Sequence, residues 1–402
     1  MTIDEAKQIE KECLLDLYSR IRGPMVIARG EGVYLWDTEG KRYLDFASGG
    51  RAVTGLGHCP PQVVAAVQAQ ADTLIHVSND FFSEPQLKLA QLLHALTGGG
   101  RVFFCNSGAE ANEAAIKLAR KYGKQVGAAE KYEIVTALDS FHGRTIATLA
   151  ATGQPKYHKG YEPLVPGFKH VPFNDAGALE RAVSARTCAV MLEPILGESG
   201  VFPASEDYLR AARRLCDQHQ ALLILDEVQT GLGRTGTMFA YQQYGLKPDI
   251  LTLAKALGGG VPIGATIAWE PCANAFQPGD HATTFGGSPL PAAAAFAALT
   301  AIRKEGLAEN ARVIGVLIVE QLEAMRSREP MIWDVRGRGL MIGVTLTRPK
   351  AVAVKQACRE AGLLIATVGD SILRLLPPLI LKKQQAEEGL RALEAALAQA
   401  AA

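Results

Sequence analysis

The chain reads as an α/β protein in two parts: a large unit on a mainly parallel sheet with helices on both faces, and a smaller α+β unit. Three observations predict this. Between about residue 60 and residue 268, short apolar runs alternate with segments of helical spacing, as a doubly wound parallel sheet requires. The run 221–225 is apolar throughout and stops abruptly on Asp226-Glu227, as a strand buried on both faces does. After the alanine-rich run 292–301 the pattern changes to helices with short strands between them. The expected boundaries are residues 1–50 for an N-terminal segment that joins the small domain, 51–300 for the large domain and 301–402 for the C-terminal small domain.

Taken in order, residues 4–20 are expected as a helix, with Ile9, Cys13, Leu14 and Leu17 at helical spacing. The stretch 26–48 reads as a meander, with turn signals at Gly30-Glu31-Gly32 and Glu39-Gly40. Helices follow at 62–73 and 86–96. Strands are expected at 102–105, 133–137, 189–192, 222–225, 250–253 and 265–268, with helices between most of them. The C-terminal part should hold short strands around 341–346, a strand at 372–376 and a closing helix at 383–401.

The bulk properties exclude several classes. Lys and Arg total 42 against 41 Asp and Glu, which leaves no field favouring nucleic acid or an anionic membrane surface. The seven cysteines are scattered, with no CxxC pair. Such spacing argues for a reducing compartment and against a disulfide frame or a metal site. No apolar segment approaches transmembrane length. The first twenty residues are acidic and amphipathic, unlike a signal or transit peptide. The cytoplasm is the expected location.

The chemistry gathers at 221–264. One strand ends on Asp226; the next, over 250–253, delivers Lys255 between two alanines and ahead of Gly258-Gly259-Gly260. In open α/β sheets ligands collect at the carboxyl ends of strands, so both residues are expected at one rim. A lysine among small apolar residues can have its pKa lowered and can then form a Schiff base with an aldehyde. Pyridoxal phosphate needs that lysine and an acid beside its pyridine nitrogen. A helix-capping Asp and a solvated Lys would read the same way in isolation.

More residues carry the argument further. LDEVQTGLGRTG and LAKALGGGVPIGA, with FFCNSGAEANEAAIKLAR at 103–120, SFHGRT at 140–145, EPILGESGV at 193–201 and TTFGGSPL at 283–290, resemble the class III aminotransferases. VRGRGLMIGV at 335–344 and LRLLPPLI at 373–380 complete the set. The resemblance runs from about residue 26 to the C-terminus. It implies a fold type I pyridoxal 5'-phosphate enzyme that works as a homodimer with shared active sites. The reaction implied passes the terminal amino group of an amino-acid donor to 2-oxoglutarate, giving glutamate. Within the class the chain looks most like the enzymes acting on N-acetylornithine; ornithine, 4-aminobutyrate, diamines and acylated lysines remain open as donors.

The resemblance also assigns roles. Lys255 would carry the cofactor and Asp226 would hold its pyridine nitrogen. Ser107, Gly108 and Ala109, where a strand meets a helix, would hold the phosphate. From the residues alone Ser107 and Glu110 read as a capping box, a geometry that also leaves backbone N–H groups for an anion. Phe141 would stack on the ring with His142 beside it, Gln229 would meet the phenolic oxygen, and Thr284 would reach the phosphate of the neighbouring subunit. Arg144 would grip a substrate carboxylate. Glu198 and Arg374 would form a switch, Glu198 neutralising Arg374 until glutamate enters.

The chain departs from the family pattern on the substrate side. His58-Cys59-Pro60-Pro61 stands where a second histidine is usual, and the stretch 48–53 is about one residue longer and carries Arg51. Arg51 either points into water or adds a cation to the substrate pocket. Two rival functions have less support. A nucleotide-binding dehydrogenase would need a GxGxxG at its first strand–helix turn, which is missing. A non-catalytic cofactor-binding protein would not need Lys255, Asp226 and Arg144 together.

Overall fold

The computed structural model describes residues 1–18 and 23–401. Its centre is a seven-stranded sheet, in the order Arg101–Cys105, Gly264–Ala268, Ile250–Leu253, Leu222–Asp226, Thr187–Leu192, Glu133–Ala137, Phe168–Val171. The expected runs become strands, and the central ones are buried along their whole length. One strand breaks the parallel pattern. Gly264–Ala268 runs antiparallel to both neighbours. Only residues 254–263 separate it from the preceding strand, too short for the helical crossover that a parallel return needs.

Helices cover the sheet. Gly108–Val126 packs its Ala111, Ala115, Leu118 and Ala119 face on it, and Glu206–His219 and Pro289–Lys304 bury their own apolar stripes. The N-terminal meander is present as Ile27–Glu31, Tyr34–Asp37 and Arg42–Asp45. Its last strand pairs in parallel with Leu363–Leu364, joining the N-terminal segment to the C-terminal part of the chain. There a second sheet, in the order Ile332–Arg338, Met341–Leu346, Ile372–Leu375, Ala366–Val368, packs with Leu307–Arg326, Ala351–Glu360 and the closing helix Lys383–Ala401.

Three expectations need correction. The first helix is Ile3–Cys13, and Leu14 is already extended. None of that helix is buried, so no packed face carries the pattern towards residue 20; residues 19 and 20 lie outside the described residues. Two strands of four or more residues went unread. Phe168–Val171 is an edge strand with polar alternation, and Ile332–Arg338 is half-exposed with charges at Asp334, Arg336 and Arg338. Neither has the apolar run that marks a buried strand.

Candidate active site

The strands Leu222–Asp226 and Ile250–Leu253 run side by side in parallel, with Asp226 opposite Thr252. Their carboxyl ends therefore lie at one rim, and both Asp226 and Lys255 line a single cavity of about 390 Å³ there. Ser107, Gly108, Ala109, Phe141, His142, Arg144, Glu198 and Gln229 line it too.

Asp226 is buried and held at both carboxylate oxygens. One carboxylate oxygen accepts from Asn112 Nδ2 at 2.7 Å and meets His142 Nδ1 at 2.8 Å; the other accepts from the Val228 N–H at 3.0 Å. Asn112 is itself fixed, since it donates to the His142 carbonyl and accepts from Thr252 Oγ1, both at 2.7 Å. His142 thus stands behind the acid and orients it. Lys255 sits where the backbone takes φ 44, a conformation costly for a side-chain-bearing residue and often found at functional sites. Burial pushes its ammonium below the ordinary lysine range, with Glu198 opposing that and Arg374 adding to it. No protein group among the described residues takes a hydrogen bond from its Nζ.

Where the strand Arg101–Cys105 meets the helix Gly108–Val126, the cap differs from the expected box. Ser107 Oγ accepts from the Glu110 N–H at 3.2 Å. The Glu110 carboxylate, however, takes the N–H of Asn106 at 2.8 Å instead of that of Ser107. Among the described residues the Ser107, Gly108 and Ala109 N–H groups have no protein acceptor, and the three residues line the cavity. Gly108 is tightly placed: a Cβ there would lie 2.8 Å from the Val228 side chain. A helix N-terminus with unspent donors suits an anion.

The substrate side is built on charge. Glu198 Oε1 accepts from Arg374 Nη1 at 2.9 Å and from Gln229 Nε2 at 3.2 Å, and its Oε2 pairs with Arg51 Nη1 at 2.5 Å. Burial raises the Glu198 pKa, but the Arg374, Lys255 and Arg51 cations outweigh it and bring it down to about 2. Arg374 is buried and also donates to the Gly197 carbonyl at 2.8 Å. Arg144 is exposed at the cavity mouth and stacks 4.1 Å over Tyr157 and 5.5 Å over Phe141. No carboxylate of the described residues pairs with it.

Arg51 does not simply point into water. Its side chain is 52 % exposed yet reaches Glu198, through which it meets the site without itself lining the cavity. Thr284 lies outside the cavity on an exposed loop. Asn112 and Glu193 were missed. Glu193 lines the cavity, accepts from the Phe141 N–H at 2.9 Å and the Gly197 N–H at 3.3 Å, and is raised by burial to about 7. Its signal was available: it ends the apolar strand Thr187–Leu192 as Asp226 ends its own.

The residues fit pyridoxal phosphate. His142 Nε2 and Gln229 Oε1 are buried without partners, beside an unbonded amine and a set of unspent backbone donors. Such orphaned groups are costly unless a ligand satisfies them.

The model of the class-III aminotransferases matches residues 18–397. The acetylornithine aminotransferase of Caldanaerobacter subterraneus is 49% identical over 390 residues, which is 97% of this chain and 98% of that protein. Among solved structures, acetylornithine aminotransferase from Elizabethkingia anophelis superposes with a TM-score of 0.88 at 34% identity, covering 99% of this chain and 100% of that one. Ornithine aminotransferase from Toxoplasma gondii reaches a TM-score of 0.94 at 31% identity, covering 99% and 96%. A further structure of the latter enzyme has partial occupancy of PLP at its active site.

Proposed function

The chain belongs to the class-III aminotransferases, and from that premise we propose that its donor is N-acetylornithine, whose terminal amino group it passes to 2-oxoglutarate by a ping-pong cycle. The enzyme is a pyridoxal-phosphate-dependent transferase of fold type I. One observation carries a single-carboxylate donor, and the 49% identity to an acetylornithine aminotransferase narrows it to N-acetylornithine. Of the two arginines at the site, Arg374 is neutralised by Glu198 and Arg144 has no carboxylate partner. A donor with a single carboxylate and a neutral acylated end needs one free guanidinium, and Arg144 offers the planar fork that suits it. A dicarboxylate needs both, so glutamate and 2-oxoglutarate would draw Arg374 away from Glu198.

Membership of the family suggests the residue roles, and the positions of these residues support them. Ser107, Gly108 and Ala109 would hold the cofactor's phosphate with unspent N–H groups, Phe141 would lie against its ring and Gln229 would meet its phenolic oxygen. Thr284, exposed, would serve the phosphate of a second copy. When bound, pyridoxal phosphate supplies a carbonyl that condenses with amines and a ring that takes up electrons from the substrate carbon. The protein does the rest. Asp226, fixed by Asn112 and His142, would anchor the ring nitrogen. Lys255, with its proton loosened by burial, accepts a proton at Nζ from the donor carbon and returns one on the far side of the transfer. Arg144 fixes the donor so that the amine faces Lys255.

The enzyme is proposed to act as a homodimer in the cytoplasm, with residues 1–50 and 301–402 forming a small domain beside 51–300. The strand pairing of Arg42–Asp45 with Leu363–Leu364 supports the division, and seven unpaired cysteines support a reducing location. Among the described residues no helix is long and apolar enough to cross a membrane. A donor panel tests the reading: N-acetylornithine should give the highest kcat/KM, ahead of ornithine, 4-aminobutyrate, diamines and acylated lysine. A clear preference for ornithine or for a diamine would overturn it.

A further inference from the structure

We propose that Arg51 is a second holder of the Glu198 carboxylate, and that it sets how readily Arg374 is released to a substrate's carboxylate. The inference rests on the reading above for the dicarboxylate half of the cycle, and it concerns a residue that the family pattern does not supply.

Glu198 divides its oxygens between two guanidinium groups: Oε1 to Arg374 and Oε2 to Arg51. The arginines differ in surroundings. The Arg374 side chain is 2 % exposed and aims inward, whereas that of Arg51 is 52 % exposed at the rim. Were Arg374 the only ion-pair partner, turning it towards a ligand would leave a carboxylate that is 14 % exposed with no paired cation and only the Gln229 amide bound to it. An unpaired charge at such depth is strongly unfavourable. With Arg51 on the other oxygen, Glu198 stays neutralised while Arg374 leaves.

The backbone holds Arg51 in place for this. Ser48 and Ala52, on either side of it, take φ 46 and φ 60, positions that other contacts must enforce. Ser48 Oγ donates to the Leu376 carbonyl at 2.5 Å, and the Gly49 N–H donates to Asp45 at 2.7 Å. Leu376 lies two residues beyond Arg374, so the loop carrying one arginine is tied to the segment carrying the other. Arg51 does not line the cavity. It is a positioning residue, acting through Glu198.

The test uses the holoenzyme with Arg51→Met and Arg51→Lys. Glutarate, an unreactive dicarboxylate, is titrated calorimetrically, and single-turnover half-reactions are followed separately with glutamate and N-acetylornithine. Arg51→Met should weaken glutarate binding and raise the half-saturating glutamate concentration roughly tenfold, the scale of one charge-assisted hydrogen bond. The N-acetylornithine half-reaction should change less than about twofold on the same scale. Arg51→Lys should restore part of the loss. In a Glu198→Ala background, Arg51→Met should add nothing, because no carboxylate is left to hold. Unchanged glutarate affinity, equal effects on both half-reactions, or a full Arg51→Met effect without Glu198 would each overturn the proposal. If N-acetylornithine is not a substrate of the wild-type enzyme, the donor assignment fails on its own, and the glutarate titration still decides the role of Arg51.

Discussion

At the scale of single residues, two side chains concentrate the chemistry. In the proposed cycle Lys255 combines the amine that binds the cofactor with the atom that carries the proton. Lys255→Ala should therefore lower kcat by about three powers of ten or more, the range of lost acid–base catalysis, and abolish the visible colour of the holoenzyme. Near-normal turnover by that variant would place the chemistry elsewhere. Asn112 has a quieter part: it donates to Asp226 and accepts from Thr252, deep under the cavity. Asn112→Ala leaves Thr252 Oγ1 without its acceptor and Asp226 with one donor fewer. The expected cost is roughly 1–3 kcal/mol of stability, with faster loss of cofactor on dialysis and a lower kcat at unchanged KM. Retention and kcat equal to wild type would show that His142 alone suffices to orient the acid. The sequence made Asp226 and Lys255 legible because each breaks off an apolar run. Asn112 was not, since a polar residue inside a helix reads as solvent-facing until the packing is seen. Arg51 was legible only as a departure; its partner lies 147 positions away and no local pattern points to it.

At the scale of elements, caps and buried acids fix where the strands hand over to helices. Ser107 caps the helix Gly108–Val126 through the Glu110 N–H. Ser107→Ala should cost about 0.5–2 kcal/mol of stability and also weaken cofactor binding, read as a higher cofactor concentration for half-maximal activity. Glu227 plays a purely structural part. Its buried carboxylate accepts from the Ala240 and Tyr241 N–H groups at 2.6 and 2.7 Å and pins the turn Ala240–Tyr244. Burial raises its pKa from 4.5 to about 7. The folded protein therefore keeps a proton that the unfolded chain releases, and this contribution to stability falls as pH rises from about 4.5 to about 7. Glu193 titrates in the same direction. Glu198 works oppositely: its pKa of about 2 adds stability above the ordinary carboxylate range, lost as pH falls through that value. Glu227→Gln should accordingly flatten the fall in Tm between about pH 5 and about pH 8, leaving the Glu193 share. A slope equal to wild type would exclude Glu227 as its source. Elements with long apolar runs were readable in order, whereas the edge strands Phe168–Val171 and Ile332–Arg338 were hidden by their exposed faces. The antiparallel turn of Gly264–Ala268 followed from connection length, which an apolar run does not reveal.

At the scale of the whole molecule, the exposed apolar surface bears on how the chain works. Ile75, Phe81, Phe82 and Phe285 are 60 %, 69 %, 90 % and 61 % exposed, far more than scattered surface residues of a monomer need. They belong to one neighbourhood. His76 packs at a tilt against Phe285 with centroids 5.0 Å apart and bonds Ser288 at 2.7 Å, which ties the stretch 74–82 to the loop that carries Thr284. A two-fold partner covering this patch would bury the aromatics and bring the Thr284 loop of one copy against the other, which is how Thr284 can serve a site that it does not line in its own chain. Each Phe of the patch would be worth about 1.5–3 kcal/mol on burial, and a two-fold would count it twice. Phe82→Asp should thus weaken association by roughly two to four powers of ten without changing the far-ultraviolet circular dichroism. Sedimentation should show a monomer at micromolar concentration, with cofactor affinity and kcat falling together as the copies part. Should Phe82→Asp remain a dimer, this patch is not the interface; should it become an active monomer with full cofactor affinity, Thr284 contributes nothing across it.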